Sequence, residues 1–379
     1  MLTTLEISNY RSLGADVRLS LGELTVLVGP NGAGKSNVTD AFQFLADCMH
    51  LGLEGAITKR GGMGAVGRFS AGRPFNVRLS AQVRGDGFIG RYAFGLENAS
   101  KGEYRVLVEE AEVVETASGR RYGFRVQDGG WQEGPSELRP KVGGRSLALP
   151  LVAADQRFAG LADELRSMAV YDIFPGDLRE PQKYDPTKPM HKRGTNWTSI
   201  LCDQPDDSWK PDMVTVLHKL TGDIEDMKIE SLGGFLVARF RHTSDSTSSK
   251  RQKWFDSGQE SNGTLRVAGI LTALLQQPAP SLVAIEEPEL TVHPGALEVV
   301  LDYVRQAASG GQVVLTTHSP ELLDMLDVAT VRVVEKRAGE THVQPLAEGQ
   351  REAVRRGLLS LGEVLRTEGL QQEIPLAGE

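Results

Sequence analysis

The chain has 379 residues, 40% of them apolar, which is enough for two or three folding units with cores of their own. Its net charge is −8 and it carries no long basic tail, so any contact with nucleic acid must come from local patches rather than global attraction. Two cysteines, Cys48 and Cys202, with no CxxC pair and no Cys/His cluster, argue for a reducing cytosol and against structural zinc, and no run of about 18 apolar residues signals a membrane span.

In chain order, residues 2–7 and 17–21 alternate apolar and polar and predict two strands around a turn at Asn9-Tyr10-Arg11-Ser12. Leu24-Thr25-Val26-Leu27-Val28 predicts a buried strand. It runs into Gly29-Pro30-Asn31-Gly32-Ala33-Gly34-Lys35-Ser36, which fits G-x-x-x-x-G-K-[ST]. Val38, Ala41, Phe42, Phe44 and Leu45 then recur at helical spacing, so a helix over about 34–51 is expected. Strand, glycine loop and helix form the setting in which backbone N–H groups cradle a phosphate at a helix N-terminus. In that role Asn31, Gly32, Ala33, Gly34, Lys35, Ser36 and Asn37 line ATP, Lys35 reaches the β/γ-phosphates, and the Ser36 hydroxyl ligates Mg²⁺.

The stretch 59–68 is too glycine-rich for a helix. From 75 to 131 alternation dominates, broken by turns such as Gly85-Asp86-Gly87, and predicts an antiparallel β-subdomain. A helix is expected over 151–168, then a polar loop with three prolines over 177–194. One or two helices follow over 195–220, interrupted near Pro205 and Pro211, then strands near 227–232 and 234–241 and a serine-rich basic loop over 242–252. There is no repeat of 20–50 residues and no sustained heptad.

Glu260-Ser261-Asn262-Gly263-Thr264-Leu265-Arg266 precedes an apolar helix and offers a second anion site at a helix N-terminus, with Ser261 and Gly263 as its candidates. Ser281-Leu282-Val283-Ala284-Ile285-Glu286-Glu287 predicts a buried parallel strand ending in two carboxylates. Glu286 stands where Mg²⁺ is held, and Glu287 where a carboxylate polarises the attacking water. A helix over 296–308 and a second apolar strand, Gln312-Val313-Val314-Leu315-Thr316-Thr317, close a βαβ unit and bring His318 to a strand end, where it could meet the γ-phosphate. The tail predicts strands over 331–335 and 341–345 and a helix over about 351–365.

The order phosphate loop, long insertion, Ser-x-Gly-Thr-Leu-Arg, Glu-Glu-Pro-Glu-Leu-x-x-His-Pro and Thr-His-Ser-Pro resembles the ABC-type ATPases of the RecF/SMC/OLD superfamily. It is most similar to compact bacterial AAA-family ATPases allied to the OLD proteins. The opening Leu5-Glu6-Ile7-Ser8-Asn9-Tyr10-Arg11-Ser12-Leu13 is similar to that superfamily's N-terminal strand and turn, and the segments around Ile173-Phe174-Pro175 and Gly194-Thr195-Asn196-Trp197 also resemble these ATPases.

The resemblance implies an α/β P-loop head of mixed sheet and helices, with an antiparallel β-subdomain and a helical insertion. On this reading 1–58 and 256–379 form the ATPase core, 59–135 the β-subdomain and 136–255 the insertion. It implies ATP and Mg²⁺ as ligands, catalysis by Glu287 and His318, Arg11 near the nucleotide, and a loop at 289–294 that crosses a head-to-tail homodimer. The signature around Ser261 and Gly263 would bind the partner subunit's γ-phosphate.

Asn262 stands where the relatives often carry Asp, and no Q-loop glutamine can be assigned, Gln82 lying on a predicted strand. About sixty residues follow His318, with scattered acids, so a Toprim nuclease within the chain is not expected. About 225 residues separate phosphate loop and signature, too many for an ABC importer. The function so implied is a cytosolic ATPase of DNA maintenance or anti-phage defence with a separately encoded effector, a nuclease or a toxin, and without a membrane partner. Two basic patches are candidates for DNA: Lys59, Arg60, Arg68 and Arg73, and Lys250, Arg251 and Lys253. The alternative is a regulatory scaffold that holds or silences a toxic partner and never contacts DNA.

Overall fold

The structure is a computed structural model and describes residues 1–68, 76–98, 103–243 and 253–373. The chain forms two compact units that interleave in sequence. The first comprises Met1–Met168, Val328–Leu359 and Thr367–Glu379, and the second Ala169–Asp327 and Ser360–Arg366.

In the first unit an antiparallel sheet runs Val17–Ser20, Leu2–Ser8, Val77–Gly85, Phe88–Asn98, Tyr104–Glu115, Arg121–Gln127, Gly130–Glu133. Its alternation is the one read from sequence. Val77, Leu79, Ala81 and Val83 are buried while Arg78 and Arg84 point to solvent, because successive side chains on a strand take opposite faces. The two N-terminal strands pair into this sheet, Leu5 facing both Leu19 and Ala81, so the β-layer takes in chain from both sides of position 58. The helix Gln156–Arg166, capped by Asp155, packs on the buried face through Phe158, Leu161, Ala162 and Leu165. A short parallel pair, Leu24–Val28 beside Val331–Arg337, continues antiparallel to Glu340–Pro345.

In the second unit Leu282–Glu286 and Val313–Thr317 are parallel and joined by the helix Pro294–Gly310, the predicted βαβ unit. A meander of Ile224–Leu232, Phe235–His242 and Lys253–Asp256 stands apart from them in the sheet order. The α/β class with mixed sheet and flanking helices is therefore as expected.

Several elements depart from the sequence reading. Residues Met63–Val66 form one helical turn inside the glycine-rich stretch, started by Gly62 at φ 102°. The phosphate-loop helix continues to Lys59, but its expected end is real as a kink, since Gly52 breaks the helix at φ 71° and ψ 168°. The expected helix to 168 ends at Arg166, and Met168–Tyr171 is a fully buried strand whose four residues are too few to show a period. Pro211 lies inside the helix Asp206–Thr221 rather than breaking it. The tail helix is two, Glu348–Arg355 and Leu361–Thr367, with Gly357 at φ 68° between them. No helix among the described residues is long and apolar enough to cross a membrane.

One buried carboxyl deep in the first unit joins sheet to helix. Glu109 is fully buried and accepts hydrogen bonds from Leu149 N (2.8 Å), from Tyr92 Oη (2.8 Å) and from Ala148 N. Burial raises its pKa to about 7, although these three donors favour the charged form. Because the folded pKa lies above the unfolded one, the folded state holds a proton that the unfolded state has already lost as pH rises. Stability should therefore fall between about pH 4.5 and about pH 7, by at most ~1.4 kcal/mol per pH unit for this group. Chemical denaturation across that range should show the slope in the wild type and lose this share of it in Glu109→Gln. An equal slope in both would remove Glu109 as the cause.

Candidate functional site

The phosphate loop of the first unit is shaped by close approach. Gly29 and Gly34 sit where a side chain could not: a Cβ on Gly29 would strike the Val334 carbonyl, and one on Gly34 the Thr341 hydroxyl. Gly34 also holds φ 109°, open to glycine at no steric cost. Behind the loop runs a hydrogen-bonded chain. Thr341 Oγ1 donates to the Ala33 carbonyl at 2.7 Å and has no further proton to give. Ser12 Oγ, 2.7 Å away, therefore donates to Thr341, and Asn37 Nδ2 donates to Ser12 Oγ at 2.6 Å. The Asn37 amide is thus engaged behind the loop, while Asn31, Gly32 and Ser36 are exposed. Lys35 is buried and curls back to Gly29 O (2.7 Å) and Pro30 O (3.3 Å), tightening the loop from within. Sequence reading missed Thr341 because it lies some 300 residues from the loop it supports.

Arg11 is held beside the same helix. It adopts φ 50°, and its Nε lies 2.8 Å from Asp40 Oδ2, which also accepts from Tyr10 Oη. Asp40 belongs to a buried ionic cluster. Arg60, with 4% of its side chain exposed, reaches Asp40 Oδ1 at 3.0 Å and Asp47 Oδ2 at 2.8 Å and lies over the Phe44 ring. Burial opposes the Arg60 charge, but the neighbouring Tyr10 and the bonds to Asp40 and Asp47 outweigh it and raise its pKa. Lys59 pairs with Asp47 at 3.0 Å and Arg68 with Glu340. Of the first basic patch the Arg60 side chain is buried, and Lys59 and Arg68 are ion-paired inside this unit, Lys59 remaining exposed; Arg73 lies outside the described residues. Of the second patch, Lys250 and Arg251 also lie outside them, and Lys253 is exposed.

In the second unit Glu286 and Glu287 stand at the end of a buried strand. Leu282–Glu286 and Val313–Thr317 are wholly buried, with Glu286 opposite Thr316. One residue on, Glu287 turns out of the strand at φ 47°, fixed by its N–H to Thr316 O (3.0 Å) and Thr316 Oγ1 (3.2 Å). That turn brings Glu287 Oε1 to 3.3 Å from His318 Nδ1. Glu289 accepts from Thr317 Oγ1 at 2.6 Å and from His318 N at 3.4 Å, which steadies the histidine's backbone. Glu286 accepts from Lys192 Nζ at 2.9 Å, a cation that no sequence motif singled out.

The signature helix, Asn262–Leu275, is tied into the same place. Ser261 caps it, accepting from Thr264 N at 3.1 Å. Gly263 is pressed on the next turn, where an added Cβ would lie 2.7 Å from Thr291 O. Asn262, the departure from the relatives' pattern, accepts from Arg179 Nη2 at 2.7 Å. Arg266 is buried and gives Nη1 to Ile173 O (2.6 Å) and Nη2 to Glu287 O (2.8 Å) and Glu286 O (3.1 Å). It thus holds the backbone of both carboxylate residues from the signature helix.

The donors fit the expected ligands by their chemistry. A glycine cradle with a buried lysine suits a polyphosphate, and a serine hydroxyl and a carboxylate are the oxygen donors that Mg²⁺ prefers. Residues 24–324 match the model of the AAA_21 family, described as "AAA domain, putative AbiEii toxin, Type IV TA system". A search of curated proteins gave no match. Among solved structures, the Smc head domain with a coiled coil and joint from Pyrococcus yayanosii is similar at TM-score 0.54 and 10% identity, over 94% of this chain and 99% of that one. The Smc head domain from Pyrococcus furiosus bound to the C-terminal domain of ScpA gives 0.53 and 12%, again over 94% and 99%. An SmcHead bound to the C-winged helix domain of ScpA gives 0.51 and 16%, over 93% and 99%. The chain belongs to the AAA_21 family of AAA-domain proteins, on the fold of SMC head ATPase domains.

Proposed function

We propose that this protein binds and hydrolyses ATP, and that the nucleotide switches a head-to-tail homodimer. The observation that carries hydrolysis is the contact of Glu287 with His318 beside Glu286 at the ends of two parallel strands. Lys35 and the loop N–H groups hold the phosphates. Ser36 and Glu286 would hold Mg²⁺, which neutralises phosphate charge when bound. Glu287 accepts the proton of the attacking water, and His318 orients Glu287 through Nδ1. Arg266 keeps both carboxylate residues on their turn, so the base is set before substrate arrives. Ser261 and Gly263 present a helix N-terminus to the partner subunit's γ-phosphate.

The process we propose is DNA maintenance or anti-phage defence, through a separately encoded nuclease or toxin. A second reading has specific support: a scaffold that holds or silences a toxic partner without touching DNA. It is favoured by the ion-paired state of Lys59, Arg60 and Arg68 and by the toxin–antitoxin system named in the family description. ATPase rates with and without DNA at two salt concentrations separate the two. Stimulation that weakens with salt supports DNA; no stimulation at either salt supports the scaffold.

Glu287→Gln keeps the size of the side chain and loses its charge. Phosphate release should fall by about 10²-fold or more, the range for losing a general base. ATP should still bind, and light scattering should show longer-lived ATP-dependent dimers. Glu286→Gln should instead weaken Mg²⁺-dependent binding itself. Wild-type turnover in Glu287→Gln would pass the base to another group.

Ser261→Arg should leave ATP binding to the monomer largely intact and stop hydrolysis, because a cation at the helix N-terminus opposes its dipole and blocks docking. Lys35→Ala should abolish ATP binding. Mixed dimers of the two pair one intact loop with one intact signature in a single composite site, so hydrolysis should partly return on mixing. Demonstrated mixed dimers without recovery would rule out a signature acting in trans.

A further inference from the structure

Lys192 holds the Glu286 carboxylate at 2.9 Å, and the chain around it is built to put it there. Its segment lies in the polar loop 177–194, yet three buried side chains fix its course. Asn196 accepts from His191 N at 2.7 Å and donates to Thr187 O at 2.9 Å. Gln276 accepts from Met190 N at 2.8 Å, and Gln182 donates to Gly194 O at 3.0 Å. The carbonyl of Lys192 itself accepts from Asp172 N at 2.9 Å. The backbone is therefore pinned on both sides of the residue. Neighbouring cations serve elsewhere: Arg193 on Asp177 at 2.7 Å, Lys188 on Asp203 at 3.6 Å. Arg266 gives both Nη atoms to carbonyls rather than to the Glu286 carboxylate.

The two partners differ in exposure, 11% for the Glu286 side chain and 43% for Lys192. A nearly buried carboxylate is costly without a counter-charge, whereas an ammonium on a half-exposed stem can return to water at little cost. We propose that Lys192 is the exchangeable counter-ion of Glu286: it neutralises the carboxylate in the metal-free protein and yields it to Mg²⁺ when nucleotide binds. This rests on the reading of Glu286 as the metal-holding carboxylate. The pinned loop returns the ammonium after product leaves, so Lys192 sets a threshold of Mg²⁺ below which nucleotide is not retained.

The test uses the full-length chain and a fluorescent ATP analogue. The Mg²⁺ concentration for half-maximal binding is measured in wild type, Lys192→Met, Lys192→Gln, Lys192→Arg and Glu286→Gln, with thermal unfolding followed with and without Mg²⁺ and ATP. Removing the competitor in Lys192→Met should lower the Mg²⁺ requirement by about threefold, the scale of a partly exposed ion pair. Its melting temperature should drop without metal and match wild type with Mg²⁺ and ATP. Lys192→Gln reads the same way if the methionine variant does not fold, and Lys192→Arg should restore the wild-type requirement. An unchanged requirement in Lys192→Met and Lys192→Gln overturns the exchange; a higher one overturns it too, placing the ammonium on the nucleotide instead. If Glu286→Gln keeps the wild-type Mg²⁺ requirement, the metal assignment fails, and the exchange falls with it for that separate reason.

Discussion

The chemistry of the second unit depends on where the chain stops being a strand. After Glu286 the backbone leaves the sheet, and the carbonyls of Glu286 and Glu287 must find partners at the turn, Glu287 O taking one from Leu290 N at 3.2 Å. Left unpaired they would each cost about 1–3 kcal/mol. The buried guanidinium of Arg266 takes both of them, together with Ile173 O. Burial lowers the pKa of this arginine, opposed by the carboxylates of Asp172, Glu289 and Glu287. With its two Nη groups spent on carbonyls, the arginine shapes the backbone and leaves the carboxylates free to act on other groups. Glu287 is thereby held at φ 47°, the conformation that sends its side chain to His318.

The first unit solves the same problem with small groups. A loop that offers its N–H groups to phosphate must fix its shape from behind, because its front is reserved for the ligand. Thr341 on Ala33 O, Ser12 on Thr341 and Asn37 on Ser12 do so without a charge. The glycines at 29 and 34 are what let neighbouring strands come near enough for those bonds. Within each unit the turn is rigid for the same reason: polar groups at element ends are satisfied by side chains brought from elsewhere in the chain.

Charge is distributed by the same economy. A run of basic residues in a glycine-rich loop looks like a surface for phosphates, yet Arg60 lies under the phosphate-loop helix between Asp40 and Asp47. An arginine so buried needs these carboxylates and the aromatic ring to offset what it loses on leaving water. The helix and the turn carrying Arg11 are thereby locked together, a structural use of residues whose composition suggested a ligand surface.

The sequence by itself determined the elements and the chemical groups at their ends. Glycine spacing and the lysine fixed the phosphate loop, apolar runs closing on Glu286-Glu287 and on His318 fixed the βαβ unit, and period-two alternation fixed the antiparallel sheet. These signals are local, since a period or a turn residue acts within about ten positions. Only the tertiary structure decided what lies beside them: Thr341 behind the loop, Lys192 on Glu286, Arg60 in an ionic cluster rather than on a basic surface, and the strand Leu2–Ser8 joined to Val77–Gly85. A lysine in a polar loop and a threonine in a late hairpin carry no local mark of their partners. Their roles come from hydrogen bonds across tens or hundreds of residues, and those are set by packing, which no window of sequence contains.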